Sequence, residues 1–139
     1  MIQFLLPIHG ILFLLALSLE YNGQGSASPF PALDTTIWVD ATAYNATEEQ
    51  TKKGNVGVGA WGDHIKEGMN VIAVSNDLIE MGLTYKTEVR IEGFRKVYTV
   101  MDKMHPRWTR KIDIFMGQDR EAAILWGKRR VKITFPVTD

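Results

Sequence analysis

Lys86-Thr87-Glu88-Val89-Arg90-Ile91-Glu92 decides the fold class, because it alternates without error. Lys86, Glu88, Arg90 and Glu92 share one face and Thr87, Val89 and Ile91 the other, the period of two that a half-buried β-strand requires. Gly93 breaks the pattern and residues 94–101 resume it, so the two runs read as a tight hairpin. Working outward, residues 36–45 alternate, with Ile37, Val39, Ala41 and Ala43 opposite Trp38, Asp40, Thr42 and Tyr44. Residues 70–75 hold the apolar run Val71-Ile72-Ala73-Val74, a strand covered on both faces. Residues 111–115 and 129–135 are strands by the same test, the latter with Val131, Ile133 and Phe135 inward.

One helix is expected over residues 118–126. Asp119 and Glu121 lie in its first turn, Gly127 stops it, and Lys128, Arg129 and Arg130 follow, which complements the helix dipole. Residues 46–69 carry five glycines and weak patterning, and read as loops with at most one short strand. Six short strands and one helix in roughly 100 residues predict an all-β fold, a small closed barrel without long exposed edges.

Composition narrows the function. The chain has 139 residues, one domain's worth. Its 16 basic and 16 acidic side chains balance, a poor match to a nucleic-acid binder, which needs excess cationic charge against phosphates. The absence of cysteine excludes a disulfide scaffold, a thiolate metal site and a cysteine nucleophile. His64 stands beside Asp63, but no third ligand is spaced to join them, so neither a metal nor a cofactor is expected.

The N-terminus reads as a separate object. The run Ile11-Leu12-Phe13-Leu14-Leu15-Ala16-Leu17 has the length of a signal-peptide core rather than a bilayer span, and Ser26-Ala27-Ser28 fits a small-x-small cleavage site. No Lys or Arg precedes the run, so an uncleaved membrane anchor is the rival. Residues 1–28 are read as signal peptide or anchor, 29–35 as a linker and 36–136 as the barrel. The protein is expected to be exported, to the periplasm, cell envelope or beyond, as a monomer.

The chemistry centres on residues 100–115. Asp102 falls where a strand ends, and Asp113, eleven residues on, lies inside the next strand between Ile112 and Ile114. Two carboxylates brought together repel, so one keeps its proton to higher pH and can act as a general acid. The plainer reading has Asp102 capping its loop and Asp113 pairing with Arg110 or Lys111. Trp108 and Tyr44 can stack on the apolar faces of sugar rings, or simply pack. Lys103, Arg107, Arg110 and Lys111 either receive anionic groups or form a solvated edge. Asn45-Ala46-Thr47 fits a glycosylation sequon, a weak pattern.

In order, Thr42-Ala43-Tyr44-Asn45, Val71-Ile72-Ala73-Val74-Ser75, Asp77-Leu78, Gly82, the Asp102 strand end, Lys111-Ile112-Asp113 and Trp126-Gly127-Lys128-Arg129-Arg130-Val131 resemble the three-aspartate (3D) domain. That family of cell-wall proteins includes membrane-bound lytic transglycosylase A and belongs with rare lipoprotein A-like proteins and expansins to the double-psi β-barrel group. The resemblance spans about residues 41–135 and implies a six-stranded double-psi barrel. Two of the family's aspartates match Asp102 and Asp113. Ser75 occupies the place of the first, and Asp77 lies two residues on, a displacement of about 7 Å along an extended chain. The family's Asp-Thr-Gly-Gly turn is replaced by Asp102-Lys103-Met104-His105.

The resemblance implies a peptidoglycan partner and lytic transglycosylase-like cleavage between N-acetylmuramic acid and N-acetylglucosamine. One acid protonates the departing glycosidic oxygen and, as carboxylate, takes the proton of the muramoyl C6 hydroxyl that closes a 1,6-anhydro ring. Asp102 is assigned that role and Asp113 the second carboxylate, though the two can exchange. Tyr44, Ser75, Asp77, Lys103, Arg107 and Trp108 are the expected substrate-binding residues. The alternative is a non-catalytic glycan-binding barrel that has lost its third aspartate.

Overall fold

The computed structural model of the chain describes residues 33–46 and 57–137. Among them six strands and two helices follow as β1 (Leu33–Tyr44), β2 (Val71–Val74), α1 (Asn76–Glu80), β3 (Glu88–Ile91), β4 (Val97–Lys103), β5 (Lys111–Phe115), α2 (Arg120–Trp126) and β6 (Arg129–Val137). The strands close into a barrel in the order β1-β5-β2-β4-β3-β6, so every strand edge is paired. The pairs β1·β5 and β2·β4 are parallel and the other four antiparallel. Exchanging β1 with β4, β2 with β5 and β3 with β6 leaves this set of pairings unchanged. Two three-stranded halves therefore interlock through the two parallel pairs, as a double-psi barrel requires.

The period-two faces become the core. Ile37, Val39 and Ala41 of β1, Ile112 and Ile114 of β5, and Val131, Ile133 and Phe135 of β6 meet inside the barrel with Ile72, Val74, Val89, Ile91, Tyr98 and Val100. Each aliphatic side chain buried there contributes about 1.5–3 kcal/mol, and emptying a position such as Ile114→Ala costs about 2–5 kcal/mol. A second, smaller cluster of Ile65, Val71 and Phe115, joined by Tyr44, Met69 and Met101, lies on the outward face of the same strands.

Several boundaries differ from the sequence pattern. β1 begins at Leu33 because β6 runs on to Val137 and carries it along: Leu33 pairs with Val137, Asp34 with Pro136 and Thr35 with Phe135. The hairpin turns at Gly93, which has a φ of 89°, but β4 starts only at Val97. Helix α1 is too short to show helical periodicity, and its N-cap Ser75 makes no side-chain cap bond. Asp119 is the N-cap of α2 rather than part of its first turn, accepting a hydrogen bond from the Ala122 N–H at 2.9 Å. Residues 1–28 and most of the expected linker lie outside the described residues. No helix among the described residues is long and apolar enough to cross a membrane.

Candidate functional site

Asp102 reaches its place through a bulge. Tyr98 and Val100 of β4 point into the core, and strict alternation would send Asp102 in after them. The β2·β4 register instead slips: Ile72 pairs with Val100, but Ala73 pairs with Asp102, skipping Met101. The extra residue re-aims the carboxylate, leaving Met101 and Asp102 both outside the barrel. Ala73 pairs on its other side with Asp113, and Asp113 with Thr42. Thr42, Asp113, Ala73 and Asp102 thus form one row across β1, β5, β2 and β4. The backbones of the two acids stand two interstrand spacings apart, about 10 Å, with only the methyl of Ala73 between them.

The Asp102 carboxylate is half-buried. Its Oδ1 accepts hydrogen bonds from the Lys103 N–H at 2.8 Å and the Ala60 N–H at 2.9 Å. Burial pushes its carboxyl above the ordinary carboxylate value, and the two N–H donors pull the other way without cancelling the rise. Gly57, Val58, Ile65, Phe115, Tyr44 and Ala46 wall a small open groove around it.

Asp113 lies beside this groove. Its Oδ1 accepts from the Thr42 hydroxyl at 2.8 Å. Burial raises its carboxyl too, opposed by the Thr42 hydrogen bond and the charge of Lys111 and assisted by the charge of Asp102. Tyr44 completes the group. Among the described residues its buried hydroxyl has no hydrogen-bond partner, and burial, then the charges of Asp102 and Asp113, hold it far above the ordinary phenol value. A phenol flanked by two acids keeps its proton and is available as a donor.

The other expected binding residues separate into two kinds. Ser75 is fully buried and its Oγ accepts from the Lys111 N–H at 3.1 Å, while its own N–H donates to the Lys111 carbonyl at 3.0 Å; it joins β2 to β5. Asp77 accepts the Arg110 N–H on Oδ2 at 2.8 Å, pinning the β4–β5 loop, while its Oδ1 is buried without a partner. Trp108, Lys103 and Arg107 stand at the surface. Lys111 Nζ lies 3.7 Å from the Trp108 ring centroid and the Arg107 guanidinium 4.8 Å, while Lys103 Nζ sits 4.8 Å from the ring of Trp61. Asn45 is buried, with Nδ2 donating to the carbonyls of Gly117 and Asp119 at 3.1 Å each.

Sequence reasoning overlooked Thr42 as a partner of Asp113, although it shares the Tyr44 face of β1. It also overlooked Gly59 and Ala60, which act through the backbone; the glycine density of residues 54–62 was the available signal. Trp61 and Tyr85, with ring centroids 5.1 Å apart, and Asp63, which accepts the Tyr85 hydroxyl at 2.7 Å, form a further unforeseen group. Among the described residues no three His, Asp or Glu side chains gather as metal ligands.

No family model matches the chain, and no curated protein matches it. Among solved structures, the apo form of an expansin from Clavibacter michiganensis is similar, with a TM-score of 0.50 and 18% identity over 76% of this chain and 52% of the expansin. A mutant of a Clavibacter michiganensis expansin, in complex with cellohexaose, aligns with a TM-score of 0.46 and 16% identity over 76% of this chain and 51% of that one. The chain thus spans about half the length of these expansins. At such identity the first likeness carries the fold alone: this chain folds as an expansin-like β-barrel.

Proposed function

We propose that the barrel is a cell-wall glycan-binding module whose binding groove opens over Asp102, at one end of the row Thr42–Asp113–Ala73–Asp102. The row itself carries the reading. It offers two carboxylates, each with Oδ1 bonded to protein, on strands whose backbones stand about 10 Å apart. A charged acceptor makes stronger hydrogen bonds than a neutral one, about 1.5–3 kcal/mol each. Ala73 puts only a buried methyl between the two acids, and Tyr44 supplies a ring and, among the described residues, an unpaired hydroxyl beside them. A few polar groups in a concave, partly apolar lining are what a small-ligand site needs.

The lytic reading has one observation in its favour. Burial raises the carboxyl of Asp102, the direction required of a group that must hold a proton to give to a glycosidic oxygen. In that reading the Asp102 carboxyl protonates the leaving oxygen, and the resulting carboxylate takes the proton of the muramoyl C6 hydroxyl as its oxygen closes on C1. Both readings are tested by incubating the protein with purified sacculi, then measuring sedimented protein and the soluble products by mass spectrometry. Co-sedimentation without anhydromuropeptides is the expected result. Anhydromuropeptides that vanish in Asp102→Asn would replace it with the lytic reading, and failure to sediment with sacculi or any other cell-wall glycan would overturn the binding one.

A further inference from the structure

The β4–β5 loop that joins the two acids is cationic throughout. Between Asp102 and Asp113 the loop and the strand ends that frame it carry Lys103, Arg107, Arg110 and Lys111 and no acid. Among the described residues none of the four forms an ion pair, whereas Arg90 pairs with Asp34 and Lys128 with Asp40 elsewhere on the barrel. Three of them rest on tryptophan faces: Lys103 on Trp61, Arg107 and Lys111 on Trp108. A tryptophan face orients a cation without neutralising it.

The loop is also held in place. The Met104 N–H donates to the Val74 carbonyl at 2.9 Å, the Trp108 N–H to the His105 carbonyl at 3.0 Å, and the Arg110 N–H to Asp77 at 2.8 Å. Arg110 keeps a left-handed φ of 48°, where glycine would fit with less strain. Lys103 is one residue from Asp102 and Lys111 two from Asp113, so each lies within about 7 Å of its acid along the strand. Of the acids near this loop, Asp77 accepts the Arg110 backbone N–H and Asp63 the Tyr85 hydroxyl, each through one oxygen, and Asp40, opposite Lys111, pairs with Lys128.

We propose that this loop is the anion-receiving rim of the groove, so that the preferred ligand is a glycan bearing carboxylates rather than a neutral one. The two carboxylates receive hydroxyls, and a ligand carboxylate, repelled from them, turns outward to Lys103 and Arg107. The inference rests on the glycan-binding reading and specifies its ligand class. The carboxylate can belong to a muramoyl peptide or to a uronate.

The test is isothermal titration of the full chain with three probes: a disaccharide muropeptide, oligogalacturonate and neutral chitohexaose. At low salt a carboxylated probe binds about tenfold tighter than chitohexaose, the size expected of two exposed charge contacts, and the advantage shrinks at high salt. Whichever carboxylated probe leads identifies the source of the carboxylate. Lys103→Gln with Arg107→Gln brings the acidic-to-neutral ratio close to one, while Arg95→Gln with Lys96→Gln, an equal loss of charge on the β3–β4 hairpin, leaves it unchanged. Chitohexaose binding as tightly as both acids, a ratio unmoved by the loop variant, or one moved equally by the hairpin variant overturns the inference and leaves the glycan-binding reading standing. Failure of all three probes to bind removes both. Melting curves of each variant confirm that the fold is intact, and Lys103→Arg, which keeps the charge, retains the ratio.

Discussion

Gly59 lies so close to β4 that a Cβ on it would stand 2.2 Å from the Met101 carbonyl oxygen. No side chain fits there, and the contact is with backbone, which cannot swing aside. The next residue, Ala60, gives its N–H to Asp102. The absence of a side chain at one position thus sets the surroundings of an acid on another element.

Gly59→Ala should therefore push the 57–65 loop away from β4. Overpacking of this kind costs about 1–3 kcal/mol, readable as a lower urea midpoint. Losing the Ala60 donor also lets the Asp102 carboxyl titrate at higher pH, because that hydrogen bond favours the charged form. Carbon-detected titration of the Asp102 carboxyl in both proteins checks this; an unchanged midpoint would show that the loop does not set it.

Asp102→Asn should keep the fold, since the amide oxygen still accepts from Lys103 and Ala60. Glycan affinity falls about tenfold to a hundredfold, the worth of one charged hydrogen bond. Sedimentation with sacculi at graded protein concentration measures it, and undiminished binding refutes the placement of the groove.

Asp113 gives a signed pH prediction. Its carboxyl is raised above the ordinary 3.8, so the folded state holds the proton more tightly than the unfolded state. That contribution to stability is fully present below 3.8 and is lost as the pH rises through the raised folded value. Asp113→Asn retains the Thr42 hydrogen bond and removes the charge. Its stability relative to wild type should increase from pH 3.5 upward and then level off, as followed by urea unfolding. A difference independent of pH would contradict the burial effect.

Asn45→Ala removes the Nδ2 donor that the Gly117 and Asp119 carbonyls accept from alongside the backbone N–H groups of Ala46 and Ala123, so two hydrogen bonds of the buried side chain are lost while both carbonyls stay paired. A cost of about 1–3 kcal/mol follows, concentrated where β1 ends and α2 begins. The same burial closes the sequon: protein expressed in a glycosylating host should show no added mass at Asn45 by peptide mapping.

The barrel was legible in the sequence because its strands are amphipathic at period two and their apolar faces meet in one core, as Val89, Ile91, Val131, Ile133 and Phe135 do. Asp113 was legible for the same reason, standing out between two core isoleucines. Asp102 was visible as a residue but not as a direction: alternation from Val100 sends it inward, and only a register slip against Ala73, a property of two strands together, turns it out. Ser75 looked like a vacant acid position because sequence cannot tell that its hydroxyl is spent on the Lys111 N–H. Ala60 contributes a backbone N–H, which every residue but proline possesses, so nothing in its identity could mark it.

The interlocked halves of the barrel have one more consequence. The exchange that maps β1 onto β4 and β2 onto β5 also maps the row onto itself, placing Thr42 opposite Asp102 and Asp113 opposite Ala73. Each matched pair holds one acid and one small neutral residue, so the row does not read the same from its two ends. A polysaccharide likewise has distinct ends, and a chain laid in reverse meets alanine where it needs an acceptor. On the glycan-binding reading the groove therefore has a heading, and a bound strand is expected to lie in it one way round.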